Sequence, residues 1–241
     1  MSFVVAIDGP AGSGKGTITK LVAKKLDLVN VDTGAMYRCV ALQALRNHID
    51  STEIKKVEEL LEDITIEIKR KGENQIVFMD GEDVSNQIRT PEVDACVAKF
   101  AALACVRNKV TPLQRKMGET QDIIMEGRDI GTTVFPNADV KIYLDASVEE
   151  RARRRYKQDL EKGMKVTYEE ILESIKKRHK LETEREISPL IQAEDAIYID
   201  SSNMTIEQVV NNVIEIINQK RQKSTQKWAI FVVTHCVIRR G

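Results

Sequence analysis

Nine residues near the start, Gly9-Pro-Ala-Gly-Ser-Gly-Lys-Gly-Thr17, constrain this chain more than any others. They follow a short apolar run, Phe3 to Ile7, and precede a helical pattern from Ile18 to Leu26. Strand, glycine turn and helix make one βα unit. In that setting the glycines let successive backbone N–H groups turn toward a single anion, and the helix start adds about half a positive charge at the same place. Lys15 can reach the outer phosphates of a nucleotide, and the Thr17 hydroxyl can hold Mg2+. The pattern departs from G-x-x-x-x-G-K-[ST] at one position, because Gly16 directly follows Lys15.

More short apolar runs follow: Leu28 to Val31, Ile123 to Met125, Val140 to Leu144 and Ala196 to Ile199. Each ends on a polar or acidic residue, respectively Asp32, Glu126, Asp145 and Asp200. Strands separated by helical stretches predict an α/β fold, a doubly wound parallel sheet of about five strands. In such sheets ligands sit beyond the carboxyl ends of the strands. In the first helix Ile18, Leu21, Val22 and Leu26 form the inward stripe. Ser147 with Glu150, Thr167 with Glu170 and Thr205 with Gln208 each fit a capping box. The last opens an amphipathic helix whose inward residues are Ile206, Val209, Val210, Val213, Ile214 and Ile217.

Two stretches break this rhythm. From Ile64 to Val84 apolar and polar residues alternate around turns at Lys71-Gly72-Glu73-Asn74 and Asp80-Gly81, which predicts a small antiparallel meander inserted at one edge of the sheet. The last segment, Lys220 to Gly241, is Lys-, Arg- and Gln-rich up to Lys227 and then nearly all apolar from Trp228 to Ile238, with residues 224–241 forming an atypical tail. This tail is expected to lie apart from the functional core of residues 1–223.

Composition excludes several classes. The 241 residues carry 37 Lys plus Arg and 37 Asp plus Glu. That balance argues against a nucleic-acid coat or a membrane-surface protein, both of which need basic excess. The cysteines, Cys39, Cys96, Cys105 and Cys236, form no C-x-x-C pair, so neither a zinc site nor a disulfide framework is expected. With no basic leader and no apolar run near the roughly 20 residues that span a bilayer, the expected location is the cytoplasm. A guanine-reading N-K-x-D is missing: the nearest string, Asn108-Lys109-Val110-Thr111, lacks the aspartate, and no D-x-x-G occurs.

Further motifs stand at the predicted strand ends. Asp32-Thr33-Gly34-Ala35-Met36-Tyr37-Arg38 follows the second parallel strand, and Glu126-Gly127-Arg128-Asp129-Ile130-Gly131-Thr132 ends the third. Together with G-P-A-G-S-G-K-G-T, G-E-D-V-S-N-Q-I-R-T-P-E-V, L-D-A-S-V-E-E-R-A-R-R-R and R-E-I-S-P-L, these strings resemble those of bacterial cytidylate kinases from about Phe3 to Ile217. The glycine motif alone is shared by many nucleotide kinases; D-T-G-A-M-Y-R with G-R-D-I-G-T-T-V-F-P is much more specific.

The resemblance implies transfer of the ATP γ-phosphoryl group to CMP or dCMP, with Mg2+ accompanying ATP. It implies that Gly9, Pro10, Ala11, Gly12, Ser13, Gly14, Lys15, Gly16 and Thr17 hold ATP. On the acceptor side Arg38, Arg128 and Arg185 would clamp the phosphate, Arg107 and Asp129 would read cytosine, and Arg178 would place the sugar and phosphate, with Thr33 beside them. Lys15, Arg128, Arg185 and Arg154 would carry the transition-state charge. A lid over about 148–167 would contain Arg151, Arg153, Arg154 and Arg155, and an acceptor-side subdomain would cover about 63–93. The protein would act as a monomer, without nucleic acid or membrane. Two positions depart from the family: Ala98 stands where a serine approaches the base, and Glu182 where an aspartate contacts the ribose.

Residue chemistry agrees with a cytosine reader. An aspartate accepts from the exocyclic amine and an arginine donates to ring N3 and O2. Uracil presents a carbonyl to the aspartate, and leaving that group unsatisfied costs about 1–3 kcal/mol, roughly tenfold to over a hundredfold. A surface, ion-paired role is the alternative for Arg151, Arg153 and Arg155, which lie among acids. Met36 and Tyr37 read as packing residues. Alternative functions are a kinase for UMP or AMP and a nucleotide-binding module without transfer.

Overall fold

The computed structural model describes residues 2–71 and 74–238, with side chains described outside 70–74 and up to 223. Five strands form a parallel sheet in the order β2 (Val29–Asp32), β6 (Ile123–Gly127), β1 (Val4–Asp8), β7 (Val140–Asp145) and β8 (Ile197–Asp200). All of β1 is buried, as its unbroken apolar run requires for a central strand covered on both faces. The chain passes from β1 to β2 in one direction and from β6 to β7 in the other, so the order reverses between β1 and β6. A crevice at that reversal is the expected ligand position.

Helices α1 (Lys15–Leu26) and α8 (Ile206–Ile238) cover one face of the sheet with Ile18, Val22, Val209, Val210, Val213 and Ile217. Leu21 and Ile206, expected inward, are instead 38% and 55% exposed and stand at the rim of the main cavity. A helical stripe is wider than the strip a sheet covers, and these two fall on its margin. The expected separation of residues 224–241 concerns side chains outside those described.

A second apolar core joins α2 (Thr33–Arg46), α3 (Ile54–Asp63), α4 (Pro91–Ala101) and α5 (Ala104–Met117) to the inserted sheet of β3 (Ile66–Lys71), β4 (Asn74–Met79) and β5 (Glu82–Asp83). β3, β4 and β5 pair antiparallel, as the alternation predicted; the turn expected through Gly72 and Glu73 lies outside the described residues. Gln75 bridges this insert to the edge strand β2, donating to the Asn30 carbonyl.

The third unit pairs α6 (Val148–Glu161) with α7 (Tyr168–Glu184) around Ala152, Ile171 and Ile175. α7 begins with the reciprocal box expected of Thr167 and Glu170, and Thr205 and Gln208 also form theirs. At α6 only half the box forms. The Ser147 hydroxyl accepts from the Glu150 N–H at 3.2 Å, but the Glu150 carboxylate turns to Arg153 and Arg154. A charged partner outcompetes a backbone N–H for a carboxylate.

Candidate active site

A cavity of about 980 Å³ opens along the carboxyl ends of β1, β2 and β6. Of the expected site residues, all but Gly9 and Pro10 line it; those two are buried beneath the turn. Twelve Lys and Arg against six Asp and Glu line its wall, so a chain with no net charge presents a strongly cationic pocket. Among the described residues no cluster of three or more His, Cys, Asp or Glu gathers to hold a metal ion.

At one end lies the glycine turn. Gly9 has φ +151°, and a Cβ there would stand 2.0 Å from the Leu144 carbonyl oxygen of the neighbouring strand, so no side chain fits. The Lys15 ammonium donates to the Pro10 carbonyl at 2.8 Å and to Ser13 Oγ at 3.3 Å. Burial pulls its pKa down to about 7, with Arg128 acting in the same direction against Glu126, Glu182 and Asp8. An anion brought into the turn would restore its charge.

Gly16, the departure from the common pattern, has a local reason. A Cβ there would lie 3.1 Å from Glu126 Oε1, so the glycine lets the end of β6 approach the start of α1. Glu126 is raised to about 7, first by burial and then by Asp32, its register partner across β2 and β6. Thr17 is exposed and lines the same cavity as these two carboxylates. Hydroxyl and carboxylate oxygens are the donors Mg2+ prefers, and too few gather here for an all-protein cage.

The opposite end is built from side chains of several elements. Asp129, two residues past the end of β6, accepts from an Arg107 guanidinium N–H and from Arg185 Nη2 at 3.4 Å. All three are buried, and the Arg107 guanidinium also lies 5.5 Å from the centroid of the Tyr37 ring. Tyr37 therefore packs, as expected, and also faces a cation. Ala98 lines this end. Arg185, which the resemblance places on the acceptor phosphate, here stands at the Arg107–Asp129 pair, with its Nε donating to the Ser188 carbonyl at 2.7 Å.

Glu182 joins two of the arginines, accepting from Arg128 Nε at 2.8 Å and Arg178 Nε at 2.9 Å. Burial opposes its ionisation, but Arg128 and Arg178 win and hold its pKa at about 2. Arg38 donates to the Ile88 carbonyl at 3.1 Å and to Asp94. Thr33 donates to the Glu126 carbonyl at 2.6 Å, which fixes the start of α2 against β6.

Helix α6 lies over both ends. Arg154 donates to the Ser13 carbonyl at 3.1 Å and to the Ser201 carbonyl at 2.7 Å, beside the glycine turn. Arg151 is buried and donates to the Ala146 and Ala11 carbonyls at 3.0 and 3.3 Å, so a surface role does not hold for it. Arg153 is the exposed, ion-paired residue of the group, with both contacts to Glu150.

Several contributors escaped the sequence reading. Asp8 accepts from the Ile130 and Gly131 N–H groups at 2.8 and 2.7 Å, locking the segment after Asp129 to the base of the glycine turn. Its burial raises its pKa to about 6. Leu21, Met204 and Ile206 form an apolar rim beyond the turn. The signal for Asp8 was its place at a strand end; the rim carried none, because its residues come from separate elements.

The sequence model of the family described as cytidylate kinase matches residues 5–219. The chain belongs to the cytidylate kinase family. A cytidylate kinase of Bacillus subtilis is 46% identical over 216 residues, covering 90% of this chain and 96% of that one. One from Caldicellulosiruptor saccharolyticus is 47% identical over 212 residues, covering 88% and 94%. A solved structure of an uncharacterized protein from Eubacterium ventriosum shares the fold alone, at TM-score 0.50 and 12% identity over 91% of this chain and 99% of that one. The cytidylate kinase match ends near the point where the side chains of α8 cease to be described, so it spans both ends of the cavity.

Proposed function

We propose that this chain transfers the γ-phosphoryl group of ATP to CMP and dCMP, releasing ADP with CDP or dCDP. The observation that carries the reading is the Arg107–Asp129–Arg185 cluster at one end of a cavity whose other end is the glycine turn. Family membership supports it. Residues 1–223 act as one nucleotide-kinase domain, with an acceptor-side part over about 63–93 and a lid over about 148–167. The protein works in the cytoplasm as a monomer, with no nucleic acid and no membrane; no described helix is long and apolar enough to cross one.

ATP occupies Gly9 to Thr17, its outer phosphates against Lys15 and Arg154 and its base against the rim of Leu21, Met204 and Ile206. Thr17, with Asp32 and Glu126 lining the same part of the cavity, would hold Mg2+, which would supply charge neutralisation for the donor phosphates. Cytosine places its amine on Asp129 and its acceptors toward Arg107. Arg38, Arg128 and Arg178 take the acceptor phosphate. Both Glu182 oxygens already hold arginines, so a ribose contact from Glu182 uses only its remaining lone pairs. Arg185 acts at the base and phosphate together.

An acceptor phosphate has its second pKa near 6 and is mostly dianionic at pH 7, so its oxygen attacks without a general base. A new bond forms from that oxygen to the γ-phosphorus as the bond to the β-bridging oxygen breaks in line. The work of the protein is to bring two anions together and spread the developing charge over Lys15, Arg128, Arg154 and Arg185. Lid arginines over the reaction keep water from competing.

The test is an acceptor panel. ATP and Mg2+ are supplied with CMP, dCMP, UMP or AMP, and nucleotide products are separated. CDP and dCDP should form fastest. Diphosphate from UMP or AMP alone would replace this reading, and nucleotide binding without any diphosphate would leave only a binding module.

A further inference from the structure

One carboxylate outside the expected set gathers three arginines. Asp94 lies in the first turn of α4. Its Oδ1 accepts from Arg38 of α2 and lies 3.7 Å from Arg178 Nη1 of α7, and its Oδ2 accepts from Arg155 Nη2 of α6 at 2.8 Å. Arg38, Arg155 and Arg178 line the cavity, whereas Asp94 is not among the lining residues. The carboxylate therefore stands behind guanidinium groups that reach the cavity wall.

We propose that Asp94 is a positioning residue for the acceptor phosphate: it fixes Arg38 and, through Arg155 and Arg178, sets the lid helices against the acceptor-side helices. This rests on the acceptor reading above. Without a shared counter-ion three like charges would repel one another, and their long side chains would regain rotamer freedom. The three arginines depend on Asp94 unequally. Arg178 is also held by Glu182 at 2.9 Å, and Arg155 by the buried Asp159 at 2.8 Å. Among the described residues Arg38 has no second carboxylate in ion-pair contact, only the Ile88 carbonyl and the more distant charge of Asp32. Loss of Asp94 falls mainly on Arg38, and so on the acceptor and not on ATP. Burial opposes the charge on Asp94, but Arg38 and Arg155 overcome it and keep the carboxyl below its usual range.

The experiment compares the unaltered chain with Asp94→Asn, Asp94→Ser and Asp94→Glu, measuring kcat, KM for CMP, KM for ATP and thermal unfolding. Asn and Ser should each raise the CMP KM about tenfold, the effect of losing one charge-assisted contact set, and leave the ATP KM within about twofold. Glu should recover part of the loss. A double variant with Arg38→Ala should have a CMP KM within about twofold of Arg38→Ala alone, since the effect of Asp94 on the acceptor runs mainly through that guanidinium. If the CMP KM is unchanged or falls, or if the CMP and ATP constants rise together with a lowered unfolding temperature in both Asn and Ser variants, Asp94 does not have this role. The two failures separate. An unaltered chain that makes no CDP overturns the acceptor reading and this inference with it. A chain that makes CDP, with indifferent Asp94 variants, overturns this inference alone.

Discussion

At the glycine-turn end of the cavity, residues 9–17 are contiguous and their main recognition groups belong to the backbone and one lysine. At the acceptor end, α2, α5, α7 and the segment after β6 each bring one or two side chains, and those side chains are charged and mutually paired. The first kind of site is set by local chain geometry, in which Gly9 leaves no room for a side chain. The second is a network, in which each arginine is aimed by a carboxylate behind or beside it. Buried networks of this kind respond to any change in charge, because removing one member leaves another buried and uncompensated.

The largest expected effect belongs to the turn. Lys15→Ala should lower kcat at least a hundredfold, the scale of losing one preorganised charge at a developing anion, about 3 kcal/mol or more. KM for CMP should move little. Turnover within tenfold of the unaltered protein would remove Lys15 from the chemistry and leave the acceptor network as the main source of charge stabilisation.

The network should reveal itself through pH. Glu182 has its folded pKa depressed to about 2 from 4.5 by Arg128 and Arg178, against burial. A depressed carboxylate stabilises the fold fully above its unfolded pKa, and that contribution is lost as pH falls from about 4.5 toward about 2. Its size is on the order of 3 kcal/mol. Unfolding free energy measured from pH 6 to 2 should show this acid limb, and Glu182→Gln should flatten it. Identical profiles would mean that the pairing with Arg128 and Arg178 contributes no net stability.

A smaller effect tests the base-reading role proposed for Asp129. Asp129→Ala should narrow the CMP-to-UMP ratio of kcat/KM about tenfold, because the group that distinguishes an amine from a carbonyl is gone. It should also destabilise the fold, since Arg107 and Arg185 lose their shared partner inside the protein. An unchanged ratio would place base selection elsewhere, with Ala98 and its neighbours the first place to look.

The same contrast explains what could be read from the chain alone. The turn is legible because its strand, glycines, lysine and helix are consecutive. The parallel sheet is legible because each strand is a short apolar run with a polar end, and the meander because Ile64 to Lys69 alternates and turn residues follow its first two strands. The acceptor residues were named by resemblance to a family, not by pattern. Nothing in the spacing of Arg107 and Asp129 says that they touch, nor that Arg185 joins them at Asp129. Asp94 was invisible because its partners come from three helices remote in sequence. The Ser147–Glu150 motif looked like its counterpart at Thr167, yet two arginines one turn along drew Glu150 away. Leu21 and Ile206 followed a correct helical period and still reached the cavity rim, since period gives a face and not the width of what covers it.

The smallest expected effect asks how far the network leans on distant structure. α7 carries Arg178 and Glu182 near its end and begins at the Thr167–Glu170 capping box, more than two turns away. Thr167→Ala removes one side-chain acceptor from the helix start and should cost about 1 kcal/mol of stability. Fraying of a first turn decays along a helix, and Ile171 and Ile175 pack α7 onto α6 between the cap and the two charged residues. KM for CMP should therefore stay within about twofold while the unfolding temperature falls by a few degrees. A severalfold rise in that KM, with ATP unaffected, would show that the acceptor arginines are aimed by the whole helix, so the side-chain network would not be self-sufficient in the way the backbone turn is.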